Sequence, residues 1–164
     1  MKSKIITTSR IGILSLGVVS FSFGGLAMAQ NPLSAKDKTF MKKAAKGGMM
    51  EVAMGKLAQH NGQSDDVKSF GKRMVTDHSK ANDELKSIAQ QKGVKLPSKE
   101  PTEKWSSDKA YMDMMVKDHE KDLAEFQAEA KDGSNPDVKN FAGKTAKVVQ
   151  EHLDLAKETQ GKLQ

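Results

Sequence analysis

The sequence contains no cysteine, which excludes disulfide bonds, thiolate metal ligands and thiol chemistry. Aromatic residues are also scarce, with six Phe, one Tyr and one Trp in 164 residues. Arginine does not cluster, and lysine alternates with aspartate and glutamate along the chain. Few rings could therefore stack on bases, and no basic stripe could follow a phosphate backbone. We predict a protein that is stabilised by packing and does not bind nucleic acid.

Residues 1–29 are typical of a cleavable signal peptide. A basic start is followed by an apolar or small segment over residues 11–26, and Ala27-Met28-Ala29 is the small-x-small pattern at which signal peptidase cleaves. An uncleaved anchor is the alternative, because the apolar segment approaches the length that spans a bilayer. Cleavage after Ala29 leaves residues 30–164 as one domain without a membrane span. Its net charge is +3, since three of the 27 basic residues lie in the leader. We therefore expect a periplasmic or secreted protein.

Four long segments with helical periodicity follow, and residues typical of helix ends separate them. Their expected starts are Ser34, Ser64, Asp108 and Asn135, and the first three end near Gly62, Gly93 and Gly133. No β-rich segment competes with this interpretation. The sequence therefore predicts an all-α fold, a four-helix bundle over residues 30–164.

One connection is long, and it joins the second and third helices. It covers residues 94–105 and contains Pro97 and Pro101, so we expect it to be extended. Fully stretched it reaches roughly 40 Å, about the length of a 27-residue helix. It could turn back locally or cross the bundle, so its length leaves open whether the two helices are parallel or antiparallel.

Each predicted core stripe carries one polar residue that can bind a metal. Apolar residues three and four apart mark the buried face of a helix, so a polar residue at such a position is informative. These residues are Glu51, His78, His119 and His152. Glu51 and His78 are equally far from the first turn, as are His119 and His152 from the last turn. His78 and His119 lie near the middle of their helices, so we expect all four side chains at the same height along the bundle axis.

Each histidine directly follows a carboxylate. The same string occurs three times, with two apolar residues, a variable residue, an acid and the histidine. The acids are Asp77, Asp118 and Glu151. One residue turns a helix by about 100°, so these acids lie at the edge of the core face. There each could accept a hydrogen bond from an imidazole N–H and orient the ring.

Three neutral imidazoles and one carboxylate suit a divalent zinc, iron, copper or manganese ion. The alternative is a metal-free polar cluster, in which Glu51 hydrogen-bonds the imidazoles and fixes the helix register. A di-iron carboxylate centre is not expected, because valine stands three residues before each histidine, where glutamate would be needed. Methionines on the first and third helices offer a weaker copper-thioether hypothesis, although several lie on core stripes. His60, beside the first turn, is expected at the surface.

Several strings between Phe40 and the C-terminus are typical of a known family. They are Gly48-Met-Met-Glu51-Val, Gly55-Lys-Leu-Ala58, Val67-Lys-Ser-Phe70, Met74-Val-Thr-Asp-His78, Asp118-His119, Val138-Lys-Asn-Phe141 and His152-Leu153. Through these strings the chain from Phe40 to the C-terminus resembles the bacterial domain-of-unknown-function family 4142, which is placed among ferritin-like proteins. The resemblance implies a ferritin-like bundle in which the long connection crosses over. Members of that family are typically exported, are often labelled outer membrane proteins, and have no settled biochemical activity. The departure from the ferritin ligand pattern argues against iron storage and ferroxidase activity.

Our main hypothesis is a non-enzymatic protein of the cell envelope. It would bind or buffer a divalent transition metal through the glutamate and three histidines, with the three preceding acids as orienting groups. A second hypothesis is a redox enzyme in which the same metal keeps an open position for oxygen or peroxide. A third is a structural or stress-related envelope protein whose histidines serve packing or pH response. The sequence identifies neither the metal, a substrate, a protein partner nor the oligomeric state.

Overall fold

The computed structural model describes residues 32–99 and 101–163, which fold into four α-helices. They are α1 (Ala35–Asn61), α2 (Asp65–Gln91), α3 (Asp108–Asp132) and α4 (Pro136–Lys162). No strand occurs within those described ranges, so the all-α prediction is confirmed. None of the described helices is long and apolar enough to span a bilayer. The predicted signal peptide lies outside the described residues.

Short polar side chains cap the N-termini of three of the helices. In α1 the Ser34 hydroxyl accepts from the Asp37 N–H at 3.0 Å, and the Asp37 carboxylate accepts from the Ser34 N–H at 2.8 Å. Ser107 caps α3, and Asn135 caps α4 ahead of Pro136. Such caps satisfy amides that have no partner inside the helix, and each contributes about 1 kcal/mol.

The helices α2 and α3 are parallel, since α2 ends at one end of the bundle and α3 begins at the other. The Asp108 carboxylate accepts from the backbone N–H of Gln63 at 3.0 Å and of Ser64 at 2.7 Å, so α3 begins beside the α1–α2 turn. At the other end, Lys92 forms an ion pair with Asp137 at 2.6 Å, so α2 ends beside the start of α4. The crossover that the family resemblance implied is therefore present, and the orientation left open by the sequence is decided.

Two apolar clusters fill the bundle, one toward each end. The Phe cluster consists of Phe40, Phe126 and Phe141, whose ring centroids lie 5.0 to 6.5 Å apart. Phe40 meets both other rings edge-to-face. The Met cluster consists of Met54, Phe70, Met74, Met112 and Met115. Full burial of each such side chain contributes roughly 1.5–3 kcal/mol.

A polar layer separates the two clusters. On every helix the predicted metal ligand lies in sequence between the residues of one cluster and those of the other. In α2, for example, His78 follows Met74 of the Met cluster and precedes Leu85, which packs with the Phe cluster. The apolar clusters thus bring all four polar residues into the middle of the bundle.

A buried pair of carboxyl groups closes the end of the bundle beyond the Phe cluster. Asp37 and Glu129 are 0% and 2% exposed, and a hydrogen bond joins their side chains. Asp37 also accepts from the backbone N–H of Ser134 at 2.9 Å, which ties the start of α1 to the α3–α4 turn. Burial and the neighbouring Asp37 raise the pKa of Glu129 to about 7. Burial opposes ionisation of Asp37, but hydrogen bonds from Ser134, Ser34 and Glu129 lower its pKa overall.

Helices α1 and α2 approach each other closely where two glycines face each other. A Cβ on Gly55 would lie 2.7 Å from the Gly71 carbonyl oxygen, and a Cβ on Gly71 would lie 2.7 Å from the Gly55 carbonyl oxygen. Backbone atoms cannot yield as a flexible side chain can. Both positions therefore require glycine, despite its cost of about 1 kcal/mol in a helix relative to alanine.

We expect Gly55→Ala to destabilise the protein by roughly 1–3 kcal/mol, because overpacking outweighs the gain in helix propensity. Gly143→Ala is the matched control, since a Cβ there would meet only the Ala130 Cβ at an ordinary 3.7 Å. That control should be neutral or stabilising by up to about 1 kcal/mol. Urea unfolding of both variants measures the difference. Equal stabilisation by the two substitutions would contradict the close approach.

Candidate metal centre

Three histidines from three different helices meet in the polar layer. The ring centroids of His78, His119 and His152 are 5.7, 5.2 and 5.5 Å apart, so the rings form a nearly equilateral triangle. His78 is 8% exposed, His119 1% and His152 0%. One ring nitrogen of each lies within 4.8 Å of those of the other two. The sequence placed these three residues at one level, and the structure brings them together.

The spacing of the ring nitrogens is close to what a metal ion needs. Nitrogens at the corners of a triangle with sides of at most 4.8 Å lie within about 2.8 Å of its centre. Zinc–imidazole bonds are about 2.0–2.1 Å long. An inward shift of less than about 1 Å per ring would therefore bring all three nitrogens to bonding distance of one ion.

On two of the rings, the hydrogen bonds identify which nitrogen carries the proton and which nitrogen keeps a free lone pair. His119 Nδ1 lies 2.8 Å from the Met115 carbonyl oxygen, and His152 Nε2 lies 2.8 Å from the Asp77 carboxylate. Both partners are acceptors only, so these nitrogens carry the protons and donate. His119 Nε2 and His152 Nδ1 are then unprotonated, and both are buried without a partner among the described residues. His78 Nε2 is likewise buried and unpartnered.

Burial keeps the three imidazoles neutral. It lowers the pKa of His78 well below its usual value, with further lowering by His152 and His119. Burial, followed by the proximity of His152, lowers the pKa of His119 to about 4. The pKa of His152 is also lowered by burial, although its hydrogen bond to Asp77 opposes this. Neutral rings are the form in which histidine binds metals.

Glu51 of α1 is fully buried, and neither of its carboxylate oxygens has a hydrogen-bond partner among the described residues. Burial raises its pKa well above the usual value, and Asp122 and Asp118 raise it further. An ionised carboxylate in such surroundings needs a cation, and a protonated one needs an acceptor. Glu51 does not belong to the group of ligand atoms within 4.8 Å, so its role as a ligand stays a prediction.

The three acids that precede the histidines have different surroundings. Asp77 accepts the hydrogen bond from His152, which lies on a neighbouring helix and does not directly follow it in the chain. Glu151 is 62% exposed and forms an ion pair with Arg73, which also pairs with Asp77 at 3.3 Å. Asp118 is half-buried, makes no hydrogen bond to another described residue, and has a pKa raised by burial. The orienting roles proposed for Asp118 and Glu151 stay predictions.

Sequence reasoning missed Arg73, which links surface and site. Its guanidinium joins Glu151 to Asp77, and Asp77 in turn holds the His152 ring. The spacing of Arg73 and Asp77, four residues apart on α2, was the available signal, because such residues are neighbours on a helix surface. His60 is exposed, as the sequence predicted.

Comparison with protein families gives one match. The model of a family described as a domain of unknown function (DUF4142) matches residues 25–159. Among curated proteins, none matches the chain.

Three solved structures share the fold. A DUF305 fragment from Deinococcus radiodurans has a TM-score of 0.67 at 11% identity, over 80% of this chain and 99% of the other. A proposed spore coat protein from Bacillus halodurans has a TM-score of 0.69 at 14% identity, over 80% and 90%. A two-domain Anabaena variabilis protein with DJ-1/ThiJ/PfpI-like and ferritin-like domains has a TM-score of 0.64 at 12% identity, over 80% and 38%. At these identities the likeness shows the fold alone, a helical bundle resembling ferritin-like domains.

Proposed function

We propose that this chain, which belongs to the DUF4142 family, binds one divalent transition-metal ion. The ligands are His78, His119 and His152, with Glu51 as the fourth. Zinc, iron, copper and manganese all accept this combination of imidazole and carboxylate. The observation that carries the proposal is the convergence of three buried, neutral imidazoles, each with an unpartnered ring nitrogen.

A metal explains the unsatisfied polar atoms better than a metal-free cluster does. In a metal-free cluster, Glu51 would hydrogen-bond the imidazoles, but both of its oxygens are unpartnered among the described residues. Each buried polar atom left without a partner costs roughly 1–3 kcal/mol. Five such atoms from Glu51 and the three histidines lie in this layer. One cation bound at the centre would satisfy all of the ring nitrogens at once.

The proposed centre is mononuclear. Ferritin-like di-iron sites use a glutamate three residues before a histidine on each of two helices. The corresponding positions in this chain are occupied by Val75, Val116 and Val149. A second metal would therefore lack its bridging carboxylates, so we propose binding or buffering of a single ion rather than iron storage.

The surrounding residues would hold the rings in place. Asp77 fixes His152 by accepting from its Nε2, and the Met115 carbonyl fixes His119 by accepting from its Nδ1. Arg73 holds Asp77 in turn. We further propose that the protein works in the cell envelope, on the ground of the signal-peptide pattern in residues 1–29.

We expect the purified domain to bind one equivalent of zinc, cobalt or copper after reconstitution and dialysis. Asp77→Asn should weaken binding roughly 10–100-fold, as loss of a hydrogen-bonded carboxylate behind a metal-bound histidine does. Asp83→Asn, the same change at an exposed position of the same helix, should leave affinity unchanged. Metal analysis gives the stoichiometry, and competition with a chelator gives the affinity. A wild-type protein that retains no transition metal would refute the proposal.

A further inference from the structure

A small cavity lies inside the bundle beside the candidate metal centre. Its volume is about 10 Å³, and all four helices contribute to its wall. The polar part of the wall consists of His78, Asn82, Asp122 and Thr145, and the apolar part includes Phe126 and Phe141. The cavity therefore lies between the proposed metal ligands and the Phe cluster.

The polar groups of this cavity have unused hydrogen-bonding capacity. The side chains of Asn82, Asp122 and Thr145 line the cavity and make no hydrogen bond to another residue that the structure describes. Asn82 and Asp122 are half-buried and Thr145 is 8% exposed, so solvent reaches the cavity and these groups are available to a small molecule. Polar groups in such positions generally bond to an ordered water or ion. The arrangement therefore points to a small bound molecule.

The volume of the cavity and the hydrogen-bonding groups of its wall both fit a molecule of the size of water. A space of about 10–15 Å³ accommodates one water, which needs two to four polar partners. The Asn82 amide and the Thr145 hydroxyl can each donate and accept, while the Asp122 carboxylate accepts. A molecule that both donates and accepts matches this wall, whereas a bulky or apolar one does not.

Gly48 is required for this arrangement. A Cβ at that position would overlap Asn82 Oδ1, so only glycine lets the amide enter the bundle between α1 and α2. Asp122 approaches the same part of α1, where a Cβ on Gly47 would lie 3.7 Å from its Oδ2. Gly48 thus leaves room for the polar wall of the cavity, whereas a Cβ at Gly47 would make only an ordinary contact with it.

We propose that this cavity binds one exogenous oxygen donor of the size of water, namely water or hydroxide, as an exchangeable ligand of the metal held by His78. The inference rests on the proposed function, because it adds a ligand to the same ion. A metal with an exchangeable ligand belongs to an open site, in contrast to structural sites that protein groups close completely. Ligand exchange at this position would let the ion enter and leave, as a buffer requires.

The test uses the copper(II)-loaded protein, with copper stoichiometry measured first. Electron spin-echo spectroscopy in H₂O and D₂O then detects deuterons of a coordinated water. We expect one exchangeable water in the wild type and its loss in Thr145→Val, which removes the hydroxyl from the cavity wall. Thr76→Val is the matched control, because this exposed hydroxyl bonds only to the Lys72 carbonyl and should leave the water unchanged.

The possible outcomes distinguish failure of the proposed metal site from failure of the proposed water ligand. A stoichiometric copper protein without an exchangeable water overturns the inference and leaves the metal site standing. A coordinated water that survives unchanged in Thr145→Val also overturns it, because that water lies outside the cavity. A protein that binds no copper fails at the stoichiometry step, which refutes the proposed function and the inference together. The wild-type measurement decides the first and third cases even if the variant does not fold.

Discussion

Replacing His119 with glutamine should abolish the rise in melting temperature that zinc gives to the wild-type protein. Zinc at a hundred times its dissociation constant stabilises a folded protein by about 2.7 kcal/mol, provided that it does not bind the unfolded chain. For a domain of this size that corresponds to roughly 5–15 °C. His119 supplies one of only three imidazoles at the centre, so its loss should exceed the roughly 10–100-fold effect of losing an orienting carboxylate.

The exposed His60 provides the matched control for this experiment. His60→Gln makes the same chemical change outside the polar layer, and its zinc-dependent shift should equal that of the wild type. Melting curves without metal show whether His119→Gln still folds, because the 1% exposure of this ring makes some loss of stability expected. A folded His119→Gln variant with the full zinc shift would mean that zinc binds elsewhere.

Glu129→Gln should stabilise the protein above pH 7 by roughly 1–3 kcal/mol. The folded-state pKa of Glu129 is raised to about 7 from 4.5 by burial and by Asp37. Its protonated form therefore contributes stability that is fully present below about pH 4.5 and is lost as the pH rises through about 7. Glutamine remains neutral throughout and keeps a donor for the Asp37 carboxylate, so the variant should not lose this stability.

Urea unfolding of wild type and Glu129→Gln between pH 5 and 8.5 measures the effect. The difference in the free energy of unfolding between the two proteins is the informative quantity. The histidines are common to both, and they change this free energy with pH in the opposite direction to Glu129. Their lowered pKa values remove stability as the pH falls below about 6.5. Glu120→Gln, on the exposed face of the same helix, should change stability by less than about 1 kcal/mol at every pH. A constant difference for Glu129→Gln across this range would exclude a shared proton between Glu129 and Asp37.

The helix ends and the polar residues on the core stripes could be predicted from the sequence because both depend on local patterns. Ser34 with Asp37, and Asn135 with Pro136, form caps whose spacing is visible in the sequence. Equal distance from a tight turn also predicted that the histidines share a level. These rules depend only on helix geometry.

Other features depend on how the hairpins dock, which the local pattern does not contain. The connection over residues 94–105 was long enough for either orientation of α3, and the contact of Asp108 with the α1–α2 turn decides it. The hydrogen bond between Asp77 and His152 joins residues on two hairpins, so no spacing rule predicts it. Glu129 could not be recognised as buried because it stands beside Ala130, which continues the apolar spacing of α3 from Phe126, yet the buried face of that helix is wide enough to include it.

The crossover divides the proposed ligands evenly between the two halves of the chain. The α1–α2 hairpin carries Glu51 and His78, and the α3–α4 hairpin carries His119 and His152. Neither hairpin alone has three ligands, so a nascent or half-unfolded molecule would have little affinity for the ion. Metal capture would therefore be the final event of maturation, and any process that separates the hairpins would also release the ion.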